Sequence, residues 1–228
     1  HSWTQAAEEL LKDKDFGADL SKKNGWLDDE MPAGINEIKE PLAKAEKLFL
    51  SVRDHYKCSK DYGMYLTQSL KKVVDAKSGN VADINLLLVA MLRNAGLTAN
   101  PLILSTRDHG KAFDQYPIME KFNYVIAELE IGDTMYLLDA SDPSLGFNKL
   151  DPKCYNGNGR LISAKPSLID LSPNILLENT VSSVFLINGE NGQMTGTSST
   201  LMGDIESANM RIQMKKENAE TYFQKLMK

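Results

Sequence analysis

The chain has 228 residues, with 26 Lys and Arg against 31 Asp and Glu and a formal net charge of −5. With 42% hydrophobic and 25% charged residues it has globular proportions, and its length can bury a sizeable core. Lys and Arg form no block that could track phosphates, so nucleic-acid binding is not expected. The longest apolar run, Ile84 to Leu92, is broken by Asn85, followed by Arg93, and falls short of the ~18 residues a membrane helix needs.

Residues 3–13 have a helical period, with Ala6, Ala7, Leu10 and Leu11 on one face. Residues 22–34 are rich in turn formers. Residues 35–58 read as a long helix or a helix pair, with Pro41 in the first turn of its second part. Residues 64–77 read as another helix.

The stretch SGNVADINLLLVAMLRNAGLTANPLILST, residues 78–106, reads as a turn, a buried helix, a second turn and a strand. Asn80 is a good N-cap, and Asp83, three residues on, favours the positive helix end. Ile84, Leu87, Leu88, Met91, Leu92 and Ala95 make the helix apolar on most sides, and Gly96 is the expected stop. Strands follow at 100–106, 122–130 and 134–140, the last two forming a hairpin about Gly132 and Asp133. The loop over 107–121 is long enough for a site or a lid.

Beyond Asp142 and Pro143 the pattern loosens. Residues 155–160, YNGNGR, read as a glycine-rich turn, with an anion cradle assisted by Arg160 as the alternative. Residues 174–203 read as two or three strands with Asn191–Gly192 as a hairpin turn, and 204–228 as a helix capped by Asp204. The expected division is a core with N-terminal helices over 1–165 and strands plus a helix over 166–228. Cys58 and Cys154 have no metal or CxxC spacing and are read as two partly buried thiols, with one disulfide as the alternative. No metal site or cofactor is expected.

The order of buried helix, strand and hairpin resembles the papain-like core of the transglutaminase-like superfamily over roughly residues 35–145. Residues 78–106 resemble that family's nucleophile segment, KFNYVIAEL its histidine strand and YLLDASDP its aspartate strand. The resemblance implies an α+β fold, helices against an antiparallel sheet, with a C-terminal strand-and-helix appendage. It places the nucleophile position on Val81, the histidine position on Asn123 and the aspartate position on Asp139. Val81 has no lone pair to attack a carbonyl, and the Asn123 carboxamide does not titrate near neutral pH. Catalytic residues are therefore expected to be absent, which makes the chain a pseudoenzyme. Asp83, Tyr124 and Asp142 are the expected cleft-binding residues. Asp83 otherwise reads as a helix first-turn acid, and Asn123 as a hydrogen-bond partner of Asp139. His109, Cys58 and Cys154 are the candidate substitutes if catalysis has been rearranged.

The wording is also similar to secreted or envelope-associated proteins of Bacteroidetes-type bacteria. That resemblance implies a central piece of a longer protein, found in the periplasm, at the outer membrane or outside the cell. The expected role is a non-enzymatic binding or scaffold module for a protein, peptide or glycan segment, or for neighbouring domains. The alternative is a cysteine- or acid-type hydrolase or amidase with a rearranged site.

Overall fold

The computed structural model describes residues 2–20, 24–59, 61–189 and 192–226. It divides into two compact units, residues 1–175 and 176–228. Helix α1 (Trp3–Lys12) starts where the Ser2 hydroxyl accepts the Gln5 N–H, and it buries Ala6, Ala7 and Leu10. The expected helix pair over 35–58 becomes a single 3₁₀ turn, Ile35–Glu37, followed by α2 (Pro41–His55) with Pro41 at its start. Helix α3 (Leu70–Ala76) is shorter than the expected 64–77. Just ahead of it, Thr67 gives its N–H and its hydroxyl to Asp83, so that stretch of backbone is committed to a tertiary contact.

Two short strands, β1 (Lys57–Cys58) and β2 (Ser78–Gly79), pair in parallel, Cys58 opposite Gly79. β2 runs straight into α4 (Val81–Asn94), in which every residue from Val81 to Leu92 is buried. α4 packs on β3 (Thr98–Leu104) and β4 (Tyr124–Ile131). With β5 (Thr134–Leu138), β6 (Gly157–Leu161) and β7 (Leu168–Leu171) these form one antiparallel sheet in the order β5-β4-β3-β6-β7.

Side chains alternate across this sheet, as the period of two requires. Ile103, Val125, Ala127 and Leu129 join the large core with α4, whereas Leu102, Leu104, Tyr124 and Ile126 join a smaller cluster with Cys154 and Leu171. Residues 155–160 are mostly strand rather than turn. Gly159 is glycine for contact reasons, since a Cβ there would stand 2.6 Å from Leu102 Cδ2 and 3.0 Å from Leu171 Cδ1. Arg160 is no anion cradle. Its guanidinium stacks on Trp3 at 4.3 Å and donates to the Asp114 carbonyl at 2.8 Å. The first unit runs on to Ile175 rather than ending at 165, because Leu168–Leu171 is the edge strand of the core sheet.

Glu128 on β4 is buried and accepts Asn100 Nδ2 at 3.2 Å; Asn100 in turn accepts Arg93 at 2.9 Å. Burial raises the Glu128 pKa, against the opposing pull of Asn100 and Arg93. A carboxyl whose folded pKa is raised costs stability above that pKa, and the cost vanishes as pH falls below the unfolded value. Glu128→Gln is therefore expected to raise stability at pH 7 and to leave it unchanged near pH 4. Urea unfolding at the two pH values measures this, and an equal effect at both would rule the cause out.

The second unit holds an antiparallel hairpin, β8 (Val181–Asn188) and β9 (Met194–Leu201), with every residue of both strands exposed. Of the expected turn pair, Asn191 lies outside the described residues, and the Gly192 N–H donates to the Gly189 carbonyl at 3.0 Å. The helix expected over 204–228 is two helices, α5 (Asp204–Glu217) and α6 (Ala219–Leu226), divided at Asn218, whose φ is 64°. Gly203, not Asp204, is the N-cap, and Asp204 is the first helical residue. Among the described residues no helix is long and apolar enough to cross a membrane.

Candidate functional site

The site is built on the first turn of α4. Asn80 Oδ1 accepts the Asp83 N–H at 2.7 Å and Asp83 Oδ2 accepts the Asn80 N–H at 2.9 Å, a reciprocal capping box. Asp83 also holds Thr67, as described, and is fully buried. It is a structural acid and not the cleft-binding residue expected, because its oxygens are taken up inside the fold. Gly79 must be glycine here: a Cβ would lie 2.5 Å from Asp83 Cβ, and Asp83 is pinned by its bonds. Gly79→Ala is expected to cost about 1–3 kcal/mol, the usual penalty of overpacking. A chemical denaturation midpoint within error of the native protein's would contradict this.

Val81 follows as the first helical residue, 1% exposed, its N–H given to the Asp61 carbonyl at 3.3 Å. Its neighbours in the smaller cluster include Tyr124 and Cys154. Tyr124, the first residue of β4, donates its hydroxyl to Asp139 Oδ2 at 2.9 Å and lies 3.1 Å from Ser141 Oγ. Burial, then the Asp139 charge, push the Tyr124 phenol far above its ordinary value. Asp139 stands just after β5 and is fully buried, with four donors. Asn85 Nδ2 at 2.9 Å, the Ser141 N–H at 3.0 Å and the Ser141 hydroxyl at 2.6 Å reach Oδ1, and Tyr124 reaches Oδ2. Asn85 comes from α4 and also accepts the Ala140 N–H at 2.9 Å, so helix and strand are tied together at this point.

Asn123 is not part of this group. Its Oδ1 accepts the Thr106 N–H at 2.9 Å and its Nδ2 donates to the Thr106 hydroxyl at 2.8 Å. The expected bond to Asp139 is made by Tyr124 instead. The cause is the period of two: neighbouring residues at a strand start face opposite ways, so a slip of one residue exchanges the side chain that meets Asp139.

A cavity of about 170 Å³ opens beside this network, lined by Cys58, Tyr62, Val81, Tyr124, Ser141, Asp142, Asp151 and Lys153. Of the expected cleft residues it thus includes Tyr124 and Asp142, along with Val81. Asp142 Oδ1 accepts the Ser144 N–H and hydroxyl at 2.8 and 2.6 Å. His109 does not line the cavity, and its Nε2 donates to the Glu120 carbonyl at 3.0 Å. His55 is exposed on α2.

Both cysteines are thiols. Cys154 is buried under Tyr124 and Val81, and burial, then Asp139, raise its pKa well above the ordinary value, which makes it a poor nucleophile. Cys58 is half-buried and lines the cavity.

Lys153, Tyr62 and Asp151 enter the site from segments whose sequence carries no sign of a site. Asp151 caps a 3₁₀ turn, Pro152–Cys154, by accepting the Lys153 N–H at 2.8 Å, and this turn aims the lysine into the cavity. The local signal was the Asp-Pro pair, which predicts a turn but not the direction of the side chain after it. Among the described residues no three His, Cys, Asp or Glu side chains come together as a metal site.

The profile of the transglutaminase-like superfamily matches residues 30–140. That segment belongs to the superfamily, and its α+β core, helices on an antiparallel sheet, is the transglutaminase-like, papain-like fold. Among solved structures, the chain is similar to a candidate protease of Parabacteroides distasonis, with 13% identity and a TM-score of 0.51 over 75% of this chain and 31% of that one. A candidate cysteine protease of Cytophaga hutchinsonii is 15% identical, with a TM-score of 0.41 over 81% of this chain and 55% of that one. The chain thus spans less than a third of the first protein and just over half of the second. No curated protein matches it.

Proposed function

We propose that the chain is a non-enzymatic binding module on a transglutaminase-like core, set within a larger secreted or envelope protein of a bacterium. One observation carries this reading. The cavity at the start of α4 is lined by Val81, the first residue of that helix, and by Tyr124, whose hydroxyl is bonded to Asp139. On this reading Val81 stands at the nucleophile place, and Tyr124 rather than Asn123 at the histidine place, since it is Tyr124 that bonds Asp139. An isopropyl group cannot attack a carbonyl, and a phenol held protonated by burial cannot take up a proton at neutral pH. The Asp139 network keeps the frame rigid, and the cavity beside it stays open to a segment of peptide or glycan, or to a neighbouring domain.

The test is a thermal-shift screen of peptides and glycans against the whole chain, alongside assays with fluorogenic amides. Ligands that raise the melting temperature, and lose this effect in Asp142→Ala, are expected, with no turnover. A second reading has Cys58 in its favour, a thiol on the cavity wall facing Gly79 across the β1–β2 pair. It makes the chain a hydrolase with a displaced nucleophile. Amide turnover abolished by Cys58→Ala would establish that reading and end the first.

A further inference from the structure

The hairpin of the second unit is built as an open edge. β8 (Val181–Asn188) and β9 (Met194–Leu201) form a sheet of two strands, so each carries a row of backbone N–H and C=O groups with no strand beside it among the described residues. The means by which proteins blunt such an edge are missing here. Both strands are eight residues long, and their pairing runs from Val181 opposite Leu201 to Asn188 opposite Met194 without a bulge. VSSVFLIN and MTGTSSTL contain neither a charged residue nor a proline, although 25% of the whole chain is charged. Apolar side chains stand on both faces, Val181, Phe185, Ile187 and Leu201 on one and Val184, Leu186 and Met194 on the other, between 55% and 74% exposed. A two-stranded hairpin alone is at best marginally stable, and further strands with an apolar face change that.

We propose that β8 pairs with β8 of a second copy of the chain, antiparallel about a two-fold axis, so that two hairpins become one four-stranded sheet in the order β9-β8-β8-β9. Of the two edges β8 is the one suited to this. It carries Val, Phe, Leu and Ile, residues that favour strands, whereas β9 is mostly serine and threonine with Gly196. The strand is also complementary to itself. A two-fold axis normal to the sheet keeps each face on its own side, so odd-numbered residues meet odd and even meet even. With the axis at Phe185, Phe185 meets its own copy, Val184 meets Leu186 and Ser182 meets Asn188, apolar with apolar and polar with polar. Only Ser183 and Ile187 meet unlike partners. An axis at Val184 sets Ser182 against Leu186 and Ser183 against Phe185, a poorer match. No charge in the strand opposes its own copy, which is the usual obstacle to pairing like with like. The two-fold axis closes the pair and leaves the polar β9 edge outward. This inference is independent of the cavity at the start of α4, and ligand binding there has no bearing on it.

Sedimentation equilibrium of the whole chain from about 1 µM to about 1 mM tests this, a range that reports any association with a Kd inside it. A monomer–dimer equilibrium is expected. Phe185→Lys sets two ammonium groups opposite one another at the axis and is expected to weaken association at least about tenfold. Thr197→Lys adds the same charge on β9, opposite Phe185 within the hairpin but one strand further from the axis. It is expected to change association less than about threefold, because solvent screens charges beyond ~8 Å. Phe185 is 64% exposed, so its replacement takes little packing from the unit itself. If circular dichroism nonetheless shows loss of strand in Phe185→Lys, Ser183→Lys takes its place with the same expected loss. It keeps every apolar side chain and sets an ammonium against Ile187 of the other copy.

Cross-linking checks the register. In a Cys58→Ser background, Phe185→Cys is expected to form a disulfide dimer on mild oxidation, because directly opposed strand residues lie about 4.5–5.5 Å apart at Cα, within the span of a disulfide. Thr197→Cys, three strand spacings of ~4.8 Å from its copy, is expected to form little. A chain that stays monomeric throughout the range overturns the proposal and leaves the edge to a strand of another protein. A dimer that Phe185→Lys weakens no more than Thr197→Lys does overturns it too, since such a dimer forms through a different surface. A mass that climbs beyond two copies means open-ended pairing of β8 with β9 and has the same consequence. Equal cross-linking of Phe185→Cys and Thr197→Cys overturns the two-fold β8 pair.

Discussion

Asp139→Ala is expected to lower the stability of the first unit by about 3–5 kcal/mol, the sum of several buried donors left without an acceptor at roughly 1–3 kcal/mol each. Asn85 Nδ2, the Tyr124 hydroxyl, and the N–H and hydroxyl of Ser141 all converge on this carboxylate, 2.6 to 3.0 Å away. Water entering from the cavity can reach the Tyr124 and Ser141 side and recovers part of the loss, which is why the sum does not reach its upper limit. Asp139→Asn is expected to cost less, about 1–2 kcal/mol, because its carbonyl oxygen still accepts while its amide meets a hydroxyl able to accept in turn. Urea unfolding followed by tryptophan fluorescence gives both values. An alanine variant within about 1 kcal/mol of the native chain would mean that the network contributes little beyond the desolvation of the charge it surrounds.

A second experiment asks whether the first turn of α4 still supports thiol chemistry. In a Cys58→Ser background, Val81→Cys adds a thiol at a helix start, and Tyr124→His adds a base held by Asp139. A nearby imidazolium and the helix end lower a thiol pKa from about 8.5 toward 6.5, raising the thiolate share at pH 6 from under about 1% to roughly a quarter. The lower intrinsic nucleophilicity of such a thiolate removes part of that gain, leaving about a tenfold faster alkylation by iodoacetamide at pH 6. The expected order is Val81→Cys with Tyr124→His well above Val81→Cys alone. Pairing Val81→Cys with Asn123→His is expected to give no gain, because that side chain faces Thr106. If the Asn123 pair were the faster one, the assignment of Tyr124 to the histidine place would be wrong. Cys154, with its pKa raised by burial, stays silent throughout.

These expectations depend differently on sequence and on fold. The buried helix α4, its capping box, the hairpin of β4 and β5 and the kinship with the transglutaminase-like core were legible residue by residue. Each rests on local rules: a cap followed three positions on by an acid, an apolar face at helical period, a Gly-Asp turn between alternating strands. Val81 as the first residue of that helix was equally legible, since Asn80 caps it and Asp83 lies three residues on from that cap. The bond expected from Asn123 to Asp139 is made by Tyr124 instead, because KFNYVIAEL has no marker for where the strand's pleat begins. Either Asn123 or Tyr124 could point to Asp139, and only the register of β4 against β3 and β5 decides it. The turn expected at YNGNGR failed for a related reason. Glycine there answers to Leu102 and Leu171 across the sheet, partners far away in the chain.

What the sequence by itself determined is the core and the absence of a thiol at the start of its central helix. Both follow from contacts within one or two turns of the chain. What only the tertiary structure decided is the cavity and its lining. Tyr62, Asp151, Lys153 and Cys58 come from loops and short strands on separate segments, and they meet only because helix, sheet and turns close around Asp139. Long-range proximity of this kind leaves no period or cap in the sequence.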